Sequence, residues 1–239
     1  MFKKIDNLLM LKKHGFNVPR FIVVFSESDK SIDGLDKNKK YAVRTVSCLE
    51  DQINCSYAGV FKTELNVPFL KLKETIKRLK DSQGDFFNIY TANQETINGL
   101  QFIVQEMIDG DYSGTAFSIN PYTYKNEIVI EAVYGLNEGL TSGKISPDIV
   151  LVQERSVEYN LKPQFVKYVC DARQGLQKIP VEIMDQSRHI LSEEMIETII
   201  KVMEQIKSIF ITPFEIEWTV KNKQLYILQV RNITKVNKG

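Results

Sequence analysis

Apolar residues Ile5, Leu8, Leu9 and Leu11 recur at helical spacing between Lys4 and Lys13, and Gly15 follows where such a helix would stop. Residues 20–25 then read as a strand. A charged Asp/Lys/Ser-rich stretch over 27–40 predicts a surface connection, 41–45 a short strand, and 46–58 a loop. Pro68 is placed to open a helix through about Lys80, with Phe69, Leu72, Ile76 and Leu79 as its apolar stripe. The pattern weakens over 81–99, which reads as a lobe boundary. Beyond it the texture changes to strands over 102–107, 114–119, 127–133, 149–153 and 164–170, punctuated by Gly, Pro and Asn. Ser192 can cap a long helix in which Met195, Ile196, Ile199, Met203, Ile206 and Phe210 recur every three or four residues, and Pro213 should stop it. Strands over 214–220 and 225–230 close the chain around an Asn/Lys loop. The expectation is an α+β chain of two lobes, 1–95 and 100–236, the second mostly sheet. There is no internal repeat.

At 239 residues and 43% hydrophobic, the chain can bury a substantial core. Lys plus Arg (31) nearly cancels Asp plus Glu (30), so the net charge of +1 calls for neither a nucleic acid nor an anionic membrane as partner. Any anion site must be local. Cys48, Cys55 and Cys170 fit neither a zinc spacing nor a disulfide framework, which suits a reducing compartment. The N-terminal segment reads as neither a signal peptide nor a membrane span, so a cytoplasmic location is expected.

Within residues 215–220 polar and apolar side chains alternate, so Ile216, Trp218 and Val220 share one face while Glu215, Glu217 and Thr219 share the other. If the loop is centred on Lys223, Glu217 lies opposite Gln229 and Glu215 opposite Arg231. Carboxylate, amide and guanidinium then converge. A Glu and a Gln side by side offer Mg²⁺ two oxygen ligands while phosphates and water supply the rest, and an adjacent Arg can pair with a phosphate. Taken alone, the same residues read more simply as a solvated cross-strand ion pair worth about 0–1 kcal/mol.

Three further segments change that balance. Tyr41-Ala42-Val43-Arg44-Thr45-Val46-Ser47-Cys48-Leu49-Glu50-Asp51, with Ser56-Tyr57-Ala58-Gly59 and Leu65-Asn66-Val67, is one. Val104-Gln105-Glu106-Met107 with Ser113-Gly114-Thr115-Ala116-Phe117-Ser118-Ile119-Asn120-Pro121 is the second. Ile130-Glu131-Ala132, Gly135-Leu136-Asn137-Glu138-Gly139-Leu140, Ser142-Gly143-Lys144 and Pro147-Asp148 form the third. Together with Glu215-Ile216-Glu217-Trp218 and 225–231, they resemble the N-terminal nucleotide-binding domain of the phosphoenolpyruvate synthase and pyruvate phosphate dikinase family over nearly the whole chain. Rifampin phosphotransferase, glucan water dikinase and L-glutamine kinase are relatives in that family.

The resemblance implies an ATP-grasp-like α+β fold whose two lobes close over ATP and Mg²⁺. Carried over position by position, it places Lys4 and Arg44 on phosphate, Gly59 where the backbone approaches the triphosphate, and Thr63 and Gln105 against the nucleotide. It makes Glu217 and Gln229 the Mg²⁺ ligands and Arg231 a phosphate contact, with Arg44 and Arg231 assisting transfer. Lys4 lacks the family's preceding glycine pair and reads equally as a solvated terminal lysine. In the family this domain presents ATP so that its β-phosphoryl group passes to a histidine on a swivelling domain, releasing AMP and phosphate. A further domain then serves an acceptor such as pyruvate. Both partner domains are expected elsewhere, in a longer enzyme or another chain. Arg44-Thr45-Val46 stands where the family usually has Arg-Ser-Ser, removing one hydroxyl. Two rivals remain: an ATP-sensing module without turnover, and an ATP-grasp ligase that forms an acyl phosphate and ADP. Gly135, Gly139 and Gly143 match no phosphate-loop pattern and read as structural, and His14 and His189 as ordinary surface or capping histidines.

Overall fold

The computed structural model describes residues 3–47, 62–90, 100–154 and 156–233, with backbone alone over 83–90. Gly59 and most of the expected 46–58 loop, including Cys48 and Cys55, lie outside the described residues. The chain divides into two compact units. One comprises Met1–Asp6, Pro19–Met107 and Cys170–Leu176; the other comprises Asn7–Val18, Ile108–Val169 and Gln177–Gly239.

In the first unit β1 (Phe21–Val24), β2 (Lys40–Val46), β3 (Thr63–Pro68) and β4 (Gln101–Glu106) form an antiparallel sheet in the order β1-β4-β2-β3. Because β4 pairs with both β1 and β2, it belongs here and not to the second lobe where the sequence reading put it. Alternation sorts the faces: Tyr41, Val43, Phe102 and Val104 are buried in one cluster with Leu72, Ile76 and Leu79 of α2 (Leu72–Tyr90). The helix does not start at Pro68. That residue ends β3, a 3-10 turn follows over Phe69–Lys71, and only then does α2 begin. It also runs on into the weakly patterned stretch as far as Tyr90, because extending a nucleated helix costs far less than starting one. The 27–40 connection is more than surface: a 3-10 turn over Lys30–Gly34, capped by Asp29 on the Ser31 amide, buries Ile32, and Leu35 is buried beside it.

Asn66 sits in β3 with φ of 59°, a left-handed conformation that Asn tolerates better than most residues. Its buried amide donates to the carbonyls of Asp171 and Gly175, both at 2.7 Å. Lys40 Nζ donates to the carbonyls of Asp171 and Ala172 at 2.9 Å. These four bonds tie the Cys170–Leu176 segment into the first unit.

The second unit is built on a six-stranded antiparallel sheet. Its strands are β5 (Tyr112–Phe117), β6 (Ile128–Tyr134), β7 (Asp148–Val152), β8 (Val157–Asn160), β11 (Phe214–Lys221) and β12 (Gln224–Asn232), in the order β12-β11-β5-β6-β7-β8. A two-stranded ribbon joins β9 (Val166–Cys170) to β10 (Leu176–Pro180). One face of the large sheet is apolar: Ile130, Ala116, Ile216 and Val230 lie in one row across four strands, and Trp218 and Ile227 extend the same cluster. Met195, Ile196, Ile199, Met203 and Ile206 of α4 (Glu193–Lys207) belong to that cluster, as does Leu11 of α1 (Lys3–Lys13). Ser192 caps α4 as expected, its hydroxyl accepting from the Met195 amide at 3.2 Å. The helix ends at Lys207, ahead of Pro213, which leads into β11. A short helix, α3, covers Glu138–Thr141. No described helix is long and apolar enough to cross a membrane.

Candidate metal and phosphate site

The β11–β12 hairpin turns on two residues, Asn222 and Lys223, with φ of 50° and 64°. Both angles suit the twist of a two-residue hairpin turn. A two-residue turn shifts the register by one place from a loop centred on Lys223: Val220 pairs with Leu225 and Trp218 with Ile227. Left uncorrected, this would move Glu217 off Gln229. A bulge between Glu217 and Trp218 shifts the register by one place and restores the expected pairs, Glu217 with Gln229 and Glu215 with Arg231. The bulge is visible in the burial too: Ile227 and Val230 both belong to the apolar core although they are three residues apart.

On the face opposite the core, four strands align a polar row: Glu131 on β6, Thr115 on β5, Glu217 on β11 and Gln229 on β12. The next row on that face holds Val129, Phe117, Glu215 and Arg231. Thr115 donates to Glu131 Oε2 at 2.7 Å, and Gln229 Nε2 lies 3.3 Å from Glu217 Oε1. Arg231 Nε donates to Glu215 Oε1. Glu131, Thr115 and Gln229 are buried and Glu217 is half-buried, so the row lies in a sheltered part of the sheet and not on a freely solvated face.

Glu215 reports the electrostatics. Its side chain is 12% exposed, and burial pushes its carboxyl above the ordinary value; Arg231 pulls it back, while the charges of Glu217 and Glu131 push it up again. Two further carboxylates therefore act on Glu215, with a single guanidinium in the rows to offset them. Such a face favours a bound cation.

The donor set fits Mg²⁺. Glu217 and Gln229 side by side supply a carboxylate oxygen and an amide oxygen, both hard ligands. Among the described residues no three His, Cys, Asp or Glu side chains come together as a complete cage. Mg²⁺ characteristically takes one or two protein ligands and fills its octahedron with phosphate and water. Arg231, 55% exposed, carries a planar guanidinium of the kind that recognises a phosphate oxygen.

Glu131 was absent from the residues singled out by sequence, although it lay inside a quoted segment. The signal was there: it is the one acidic residue in the apolar run 128–133, and a carboxylate in such a run must find a partner.

In the first unit the sheet brings together three of the expected residues. Arg44 on β2 pairs directly with Thr63 on β3, and Gln105 on β4 pairs with Ala42, two residues from Arg44 and hence on the same face. Gln105 is buried, Arg44 half-buried and Thr63 exposed. Lys4 lies on α1, half-buried, and is not grouped with these three by any strand pairing. Three residues later on that helix, Asn7 donates to the Val230 carbonyl of β12 at 3.1 Å.

Comparison with known proteins shows a family likeness over most of the chain. The model of the pyruvate phosphate dikinase AMP/ATP-binding domain matches residues 21–239. An uncharacterized phosphotransferase of Bacillus subtilis, YvkC, is 26% identical, covering 97% of this chain and 33% of its own length. A probable phosphoenolpyruvate synthase of Archaeoglobus fulgidus is 29% identical, covering 82% of this chain and 27% of its own length. The chain thus spans a third or less of these relatives. Among solved structures, D-alanine–D-alanine ligase from Helicobacter pylori overlays 97% of this chain and 54% of its own at a TM-score of 0.48 and 14% identity.

Proposed function

The chain belongs to the pyruvate phosphate dikinase AMP/ATP-binding domain family, and on that footing we propose that it holds Mg·ATP and presents the β-phosphoryl group to a histidine supplied by another domain or chain. Water takes the γ-phosphoryl group, so the other products are AMP and phosphate, and the phosphohistidine then serves an acceptor such as pyruvate or another small molecule. The observation that carries this reading is the polar row: Glu217 and Gln229 directly paired beside the Glu215–Arg231 pair, on the sheet face opposite the core.

Each residue has a chemical task. Glu217 and Gln229 would hold Mg²⁺, which would offset the charge of the phosphates. Arg231 pairs with a phosphate oxygen. In the first unit Arg44 takes phosphate oxygens, Thr63 and Gln105 contact the nucleotide, and Lys4 and Gly59 complete the set that the family resemblance implies. Phosphoryl transfer demands in-line geometry and compensated oxygens more than covalent help, so the chain's contribution is positioning and charge neutralisation. In this reading the chain is part of a cytoplasmic enzyme. The histidine domain and the acceptor domain lie in a longer enzyme or in a separate chain.

ATP labelled at the β and γ positions, incubated with this chain and a separately expressed phosphohistidine domain, tests the proposal. The expected result is AMP with the β label on the added domain. ADP as the product would replace this reading with that of a ligase, and binding without turnover beside a competent domain would replace it with that of a sensor.

A further inference from the structure

The connection between β5 and β6 is more firmly built than joining two strands requires. Asn120, buried, accepts on Oδ1 from the Tyr122 amide at 2.9 Å and the Thr123 amide at 3.1 Å. Its own amide donates to Glu127 Oε1 at 2.7 Å, and Gln153 donates to the other Glu127 oxygen at 3.0 Å. The Tyr124 amide donates to the Asn120 carbonyl at 2.8 Å, with Tyr124 at φ of 59°. None of these bonds uses the side chain of Tyr122. Its ring is left 68% exposed, so it adds little to the core, yet its hydroxyl lies 3.4 Å from Glu131 Oε1.

We propose that Tyr122 is a positioning residue of the polar row: it fixes the plane of the Glu131 carboxylate, whose free lone pairs then accept hydrogen bonds from the water carried by a divalent cation at Glu217 and Gln229. The inference rests on the reading of the β11–β12 hairpin as a metal and phosphate site. A carboxylate held through one oxygen pivots about its terminal bond. Thr115 holds Oε2 of Glu131 and Tyr122 holds Oε1, so the pair of donors fixes the plane as one alone does not. Ordering an exposed tyrosine against a buried acid costs side-chain entropy with little burial in return, which is reasonable for a group whose use is at a site.

The test is a cycle of Tyr122→Phe, Glu131→Gln and the double variant in the full chain. Calorimetry reads binding of a non-hydrolysable ATP analogue as MgCl₂ is varied. Removing one hydroxyl that acts through a long bond should raise the Mg²⁺ concentration at half-saturation about threefold. The same substitution in the Glu131→Gln background should change nothing further, and the analogue's weak affinity without Mg²⁺ should not move. An unchanged Mg²⁺ requirement in Tyr122→Phe overturns the proposal. So does an equal shift in the Glu131→Gln background, because Tyr122 would then act on the ligand directly. Glu217→Ala, run alongside, separates the two levels. If it abolishes the Mg²⁺ dependence while Tyr122→Phe does nothing, the site stands and this inference falls; if it leaves the dependence intact, both fall.

Discussion

At the scale of single residues, the telling group is Glu215. Its folded-state pKa is raised above the ordinary 4.5, burial outweighing the attraction of Arg231. The native state therefore holds this proton more firmly than the unfolded chain does, and stability falls as pH rises through the interval above 4.5. Glu215→Gln removes that cost. Without nucleotide or metal, the variant should melt higher than the parent at neutral pH, with the difference closing as pH falls to the ordinary carboxylate value. Thermal melts across pH check it, and equal melting temperatures at neutral pH would contradict it. Stability given up beside a ligand site is a familiar trade. The sequence showed Glu215 and its partner because strand alternation is local information. It did not show that Glu131 stands in the same row, since that depends on β5 lying between β6 and β11, a pairing between segments far apart in the chain.

At the scale of elements, the register of the hairpin was read correctly at Glu215 and Glu217 for an incomplete reason. A loop centred on Lys223 and a two-residue turn followed by a bulge give the same pairs at Glu217 and Glu215, and only the second is what the chain does. Helices with full apolar stripes were legible, α4 most of all. Strands whose side chains are largely exposed or only half-buried, such as β8 and β10, carried no alternation to read. Gly114 was noticed only as part of a motif, and its physical reason appears in the sheet. A Cβ there would run into the Glu131 carbonyl oxygen and lie 2.6 Å from Trp218 Cζ2. Gly114→Ala should therefore part β5 from β6 or displace Trp218, at a cost of about 3 kcal/mol, the upper range for overpacking a core. Urea denaturation measures it, and a loss below about 0.5 kcal/mol would mean that the sheet yields at that point.

For the molecule as a whole, the sequence placed a boundary within residues 81–99 and expected one cut to yield two lobes, 1–95 and 100–236. Composition and texture do change there, but texture follows the run of the chain, whereas units follow contacts. The first unit takes in three separated segments, and one of them, Cys170–Leu176, accepts the hydrogen bonds of Asn66 and Lys40. The second unit likewise needs Asn7–Val18, where Leu11 enters its core. Severing the polypeptide after Met107 would thus leave each half short of a piece carried by the other. Residues 1–107 and 108–239 expressed separately should each fail to give a cooperative melt by circular dichroism, whereas a sharp transition in either would show that its missing piece is dispensable. In genetic terms the two units form one indivisible cassette: recombination that swaps either of them among relatives must exchange several stretches of coding sequence at once, and a single crossover would deliver a hybrid with gaps in both.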